Sequence, residues 1–205
     1  MDRPRILIVV GKAHQTLRCT LKQLLNRGGY HLIAEAEEGL QALRYARNYQ
    51  PDLIIAETNL QGINALELGR VLFEDRIAPI LIIVNGSSHP TFVDPIRESY
   101  PFSYVIEPLS DDKLFPAIAT SISYYRHIRE LESQVKSLHE KIETRKLTEK
   151  AKGILMEQMN ISEAEAYRIL QKQSMDRCIP LRKIAEAVII NNDLKNIPRK
   201  KDNIK

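Results

Sequence analysis

The sequence predicts an α/β architecture over its first 120 residues, a doubly wound five-stranded parallel sheet, followed by an all-α remainder. Three observations predict it. Five short apolar runs alternate with segments of helical periodicity, the pattern of a parallel sheet covered on both faces. After residue 120 the strand-like runs stop. A long heptad-like stripe then leads into three further helical stripes.

Residues 5–10 (RILIVV) are continuously apolar, as a strand buried on both faces requires. Leu17, Leu21, Leu24 and Leu25 come next at helical spacing, and Gly28-Gly29 ends that helix. His31 to Ala36 is the second strand; Leu40, Leu43 and Ala46 mark the second helix, closed at Gln50-Pro51. Leu53 to Ala56 is the third strand, Leu66, Val71 and Leu72 mark the third helix, and Ile80 to Val84 is the fourth strand. Pro90, Pro95 and Pro101 leave room only for a short or broken helix over residues 86–101. Tyr104-Val105-Ile106 is the fifth strand, and Leu114, Ile118 and Ile122 open another helix.

Beyond it, Tyr124, Ile128, Leu131, Val135, Leu138 and Ile142 recur at spacings of 4, 3, 4, 3 and 4, the seam of a heptad repeat. A single helix cannot bury so narrow a stripe against itself. A two-stranded parallel coiled coil buries it; the alternative is packing on its own domain. Leu147, Ala151, Ile154, Leu155 and Met159 then begin a three-helix unit. Ser162 and Glu165 form a capping box, with Ile161 and Ala166 as a weak staple, before the stripe Ala166, Tyr167, Ile169, Leu170 and Gln173. Pro180 suits the first turn of a last helix carrying Leu181, Ile184, Ala185, Val188 and Ile189. At about 55 residues this unit is near the lower size limit for independent folding, so dimerisation would help it.

Composition removes several classes. The chain has 205 residues, 43% hydrophobic and 27% charged, in the range of globular domains. Its longest apolar run, Ala78 to Val84, is far short of the roughly 20 residues that cross a bilayer. The N-terminus enters a strand directly, without a signal-peptide pattern. Cys19 and Cys178 lie too far apart in sequence for a paired metal motif, so a cytoplasmic protein is expected. Charge is uneven: residues 1–120 hold 12 Lys+Arg against 14 Asp+Glu, whereas residues 121–205 hold 18 against 12. A basic half suggests a polyanionic partner. A solvated tail explains part of it, through Arg199, Lys200, Lys201 and Lys205. His14, His89 and Ser87-Ser88 near strand ends have no spacing that demands a nucleophile and base, so no enzyme is expected, and no cofactor.

The pattern ILIV, PDLII, PILIIV and YVIEPL over about residues 4–122 resembles the receiver domain of bacterial response regulators, a flavodoxin-like fold. The resemblance implies a phosphoacceptor pocket at the carboxyl ends of the strands, but its reactive positions are altered. Val10 and Gly11 stand where the family has two magnesium-binding acids, Glu57 where it has the phosphorylated aspartate, Val84 where it has a Thr or Ser, and Glu107 where it has a Lys before Pro108. Magnesium requires oxygen ligands, and phosphoryl transfer requires compensating positive charge. This is the profile of a pseudo-receiver, with no metal. Glu57 either mimics the charge of a phosphorylated aspartate or is a hydrogen-bonded side chain in an inert pocket.

In the second half, EKAKGILM (149–156), NISEAEAYRIL (160–170), SMDR (174–177) and PLRKIAEAVI (180–189) resemble the ANTAR domain of antitermination regulators. The chain thus divides into a pseudo-receiver (1–122), a coiled-coil dimerisation helix (123–146), an ANTAR domain (147–193) and a basic tail (194–205). The resemblance implies a dimer that binds paired hairpins in a nascent leader transcript and prevents a terminator hairpin. Its input is a regulatory protein partner at the pseudo-receiver, or dimerisation itself. Candidate RNA contacts are Arg145, Lys146, Lys150 and Lys152 for phosphates, small Ala151 and Gly153 for close approach, Tyr167 for stacking, and Arg168, Arg182 and Lys183 for backbone. Each has a plainer role available: Ala151 and Tyr167 as core, the cations as solvated surface.

Overall fold

The computed structural model describes residues 3–86 and 102–195. The chain forms two compact units, Met1–Glu130 and Leu131–Lys205. The first holds strands β1 (Arg5–Val9), β2 (His31–Ala36), β3 (Leu53–Glu57), β4 (Ile80–Val84) and β5 (Ser103–Ile106), in the order β2-β1-β3-β4-β5, all parallel. Helices α1 (Gln15–Arg27), α2 (Gly39–Tyr49) and α3 (Ala65–Glu74) connect them.

Alternation along the strands builds two cores. Leu7, Val9, Ile54, Ile80 and Ile82 pack with Ala42 and Ala46 of α2 and Leu68 and Leu72 of α3. Ile6, Ile8, Ile55, Leu81 and Ile83 pack with Leu21, Leu24 and Leu25 of α1 and with Leu114 and Ile118. Every residue of β3 and β4 is buried, which is why these strands read as unbroken apolar runs. The expected doubly wound sheet is present.

Helix α4 runs from Asp111 to Met159, 49 residues, and contributes to both units. The apolar pattern by itself divides this stretch at residues 122 and 146, whereas the helix passes through both points. Between Ala117 and Lys152 there is neither Gly nor Pro, so nothing in the local chemistry ends the helix where its apolar pattern changes.

The second unit adds α5 (Glu163–Arg177) and α6 (Leu181–Lys195). Its core is Ala151, Ile154, Leu170, Ala185 and Ile189. The expected capping box forms: Ser162 Oγ accepts the Glu165 N–H at 3.3 Å, and Glu165 accepts the Ser162 N–H at 2.9 Å. Helix α5 ends at Cys178 in the left-handed region (φ 53°). Pro180 precedes α6, its carbonyl accepting the Lys183 N–H at 2.8 Å. Residues 87–101, where the broken helix is expected, and the tail beyond Lys195 lie outside the described residues.

With so small a core, single deletions weigh heavily. Leu170→Ala is expected to cost about 2–5 kcal/mol and Ser162→Ala about 1 kcal/mol. Chemical denaturation followed by circular dichroism measures both.

Candidate functional site

Parallel strands bring distant residues together at their carboxyl ends. There Val10 and Val84 are fully buried and apolar, and Glu57 is 5% exposed. Glu57 reaches back to β1: its Oε1 accepts the Gly11 N–H at 2.7 Å, and its Oε2 meets His14 Nδ1 at 2.5 Å. With the carboxylate ionised, the proton lies on Nδ1, which donates. Gly11 leaves room for this arrangement: a Cβ there would stand 2.7 Å from Glu57 Oε1, and the carboxylate would have to shift. A cleft of about 510 Å³ opens beside these groups, lined by His14, Glu57, Asn59, Asn85, Glu107 and Leu109. Glu107 thus shares the cleft, while Glu57 takes its hydrogen bonds from Gly11 and His14.

One flank is cationic. Arg18 donates to the Val10 carbonyl at 2.5 Å and to Glu37 at 3.1 Å, with Lys12 at 3.5 Å from the same carboxylate. The Arg18 hydrogen bond, helped by Lys12, holds Glu37 below the usual carboxylate range. Among the described residues no group of three or more His, Cys, Asp and Glu side chains is arranged to hold a metal ion. The engagement of His14 is not visible in the sequence. Its partner lies 43 positions away, so no local motif announces the pair.

In the second unit the candidate RNA contacts separate. Arg145, Lys150 and Arg168 are exposed, as is Lys146, which pairs with Glu143 at 3.0 Å. Gly153 is half-buried, with open space where a Cβ would be. Arg182 and Lys183 are exposed but share Glu186, at 2.9 and 3.0 Å.

Two candidates lie inside the fold. Ala151 is fully buried among core side chains, the plainer of its two expected roles. Lys152 is only 7% exposed and lies between Glu149 at 2.7 Å and Glu163 at 2.6 Å. Those two hydrogen bonds, Glu149 first, raise its pKa, and Lys152 in turn lowers that of Glu163. Its charge is met within the protein and joins α4 to the start of α5. Tyr167 is 39% exposed, its ring centroid 6.0 Å from the Lys152 ammonium, at the edge of cation–π range.

A groove of about 920 Å³ gathers part of this set: Lys141, Arg145 and Thr148 of α4, Glu163 and Tyr167 of α5, and Leu181 of α6. Lys141 is a residue that the sequence does not single out. It sits beside the heptad stripe and outside the conspicuous EKAKGILM segment.

The expected seam is largely uncovered in the single chain. Tyr124, Leu131, Val135, Leu138 and Ile142 are 42–56% exposed, and Ile128 is half-buried. At 3.6 residues per turn, Ala151, nine residues beyond Ile142, projects from the opposite side of α4. The stripe and the core of the second unit therefore use opposite faces of one helix.

Comparison with known proteins agrees with these two parts. Residues 7–119 match the response regulator receiver domain, and residues 136–189 match the ANTAR domain. The chain is 32% identical over 185 residues to the transcriptional regulatory protein PdtaR of Mycobacterium tuberculosis, covering 90% of this chain and 89% of that one. It is 28% identical over 123 residues to the chemotaxis protein CheY of Bacillus subtilis, covering 58% of this chain and 98% of that one. Among solved structures it resembles the signal receiver domain of a modulated diguanylate cyclase from Desulfovibrio desulfuricans G20 (TM-score 0.53, 26% identity, 61% of this chain and 98% of that one).

The ion pairs of the second unit imply a pH dependence. Lys152 lowers Glu163, the Ser162 hydrogen bonds lower Glu165, and Arg182 with Lys183 lowers Glu186, each from an ordinary value of 4.5. A carboxylate whose pKa is depressed by folding contributes stability above its unfolded pKa and loses it as the pH falls through the folded value. The melting temperature is expected to drop as the pH falls from about 5 toward 3. Glu163→Gln should flatten that drop in circular-dichroism melts.

Proposed function

We propose, on the premise that this chain belongs to the response regulators that join a receiver domain to an ANTAR domain, that it is a transcription antiterminator acting by binding RNA. The family is one of transcriptional regulators. The observation that carries the finer reading is a coincidence of place. The segment that matches ANTAR, residues 136–189, is where exposed Arg145, Lys146, Lys150, Arg168, Arg182 and Lys183 collect.

In this reading two copies associate through Leu131, Val135, Leu138 and Ile142, and each presents its cations to a small-loop hairpin in a nascent leader transcript. Hairpin loops expose unstacked bases and a curved backbone to such a surface. Holding the hairpins withdraws their strands from an overlapping terminator. The outcome depends on differential affinity for one RNA fold over its competitor, and no covalent step is needed. The site of action is the cytoplasm, with the transcript. No helix of the described residues is long and apolar enough to cross a membrane.

The front unit serves as a docking domain for a regulatory protein and takes no phosphoryl group. Its strand ends do not fit the magnesium ion that receivers use. Val10 is buried and apolar, Gly11 has no side-chain oxygen, and both Glu57 oxygens are engaged by Gly11 and His14. Glu107 adds negative charge to the cleft where an arriving phosphoryl group would need positive charge. Glu57 is then a hydrogen-bonded side chain in an inert cleft.

Two experiments test the proposal. In gel-shift titrations the chain should bind an RNA of two adjacent small-loop hairpins in preference to duplex DNA. Changing Arg145, Lys150, Arg182 and Lys183 together to Ala should weaken binding and reduce the salt slope by roughly one for each cation withdrawn from a phosphate. Preference for DNA, or undiminished RNA binding by that variant, sinks the assignment. Separately, incubation with acetyl phosphate should leave the intact mass unchanged, and a stable phosphoryl adduct refutes the inert cleft.

A further inference from the structure

The heptad register continues past Ile142, the last apolar residue of the seam. With Leu131 and Leu138 at d and Val135 and Ile142 at a, the next d position is Arg145. Lys141 falls at g and Lys146 at e. In a parallel two-stranded coil a g residue faces the e residue five positions further along the other chain. Lys141 of each copy therefore faces Lys146 of the other, and the two Arg145 side chains meet across the axis. The earlier g-to-e steps pair His127 with Glu132 and Gln134 with His139, neither a like-charge step between permanent charges.

Nearby acids offset this charge only in part. Glu143 pairs with Lys146 at 3.0 Å. Glu149, at the next a position, hydrogen-bonds Lys152 at 2.7 Å. Glu140 is next to Lys141 in sequence, where helical neighbours do not face each other. Lys141 has no acid three or four residues away on its own helix, and both Lys141 and Arg145 are exposed and line the groove of the second unit.

We infer that the end of the seam is a shared cationic fork. Like charges there oppose pairing of two copies, and an RNA backbone crossing from one copy to the other relieves the opposition. RNA binding and dimerisation then favour each other by the same factor, as linkage requires. Lys141 is thereby an RNA contact and also a residue that holds the free dimer below its full affinity. The inference rests on the RNA-binding reading above and deepens it.

The test is sedimentation of the full chain, with and without a synthetic RNA of two adjacent small-loop hairpins. Without RNA, the dimer should tighten as salt rises, because screening weakens repulsion between exposed charges. Lys141→Glu turns two like-charge contacts per dimer into opposite-charge ones and should tighten the free dimer roughly tenfold, while weakening RNA binding. Lys146→Glu added to it restores like charge and should cancel the tightening, which a change in helix propensity or folding would not do. Lys141→Glu that leaves the dimer unchanged or weaker overturns the fork. So does RNA that tightens wild type and Lys141→Glu dimers equally. A wild-type chain that binds the RNA with an unaltered dimer constant removes the fork and leaves the RNA reading standing; one that binds no RNA removes both.

Discussion

Helix α4 carries apolar side chains on two sides half a turn apart, and the second unit covers only one of them. Ala151 and Ile154 are enclosed by α5 and α6. Leu131, Val135, Leu138 and Ile142 are about half exposed. An aliphatic side chain left in water forgoes roughly 1.5–3 kcal/mol relative to full burial. Four in one stripe leave on α4 an apolar surface that α5 and α6 do not cover, and Lys141 and Arg145 lie beside it.

At the other end of the chain, the strand ends of the receiver fold hold a closed hydrogen-bond set. Its members fit one another. A glutamate at 57 is long enough to cross to β1, a glycine at 11 makes room for it, and His14 occupies its second oxygen. The sheet still delivers these residues to its carboxyl edge because that depends on strand order and burial, and the apolar runs that set both are unaltered.

Much of the fold is legible in the sequence because it depends on periodicity. Short, β-branched runs such as Ile80–Val84 read as strands covered on both faces, and Ser162 with Glu165 marks a helix start from two residues. Periodicity does not encode the rest. The pairing of His14 with Glu57 spans 43 positions. Lys152 reads as surface because it is a lysine in a basic segment; its burial depends on Glu149 one turn before it and on Glu163 beyond the next bend. Ala151 illustrates the same limit in reverse, since a small residue suits close approach by a ligand and close packing of helices equally well, and only the tertiary contacts decide.

The close approach at Gly11 couples positions far apart in the sequence. A side chain at position 11 would place its β-carbon 2.7 Å from Glu57 Oε1, so the carboxylate would have to swing away from the Gly11 amide. His14 holds the other oxygen of that carboxylate, so a change at any one of the three is felt at the other two.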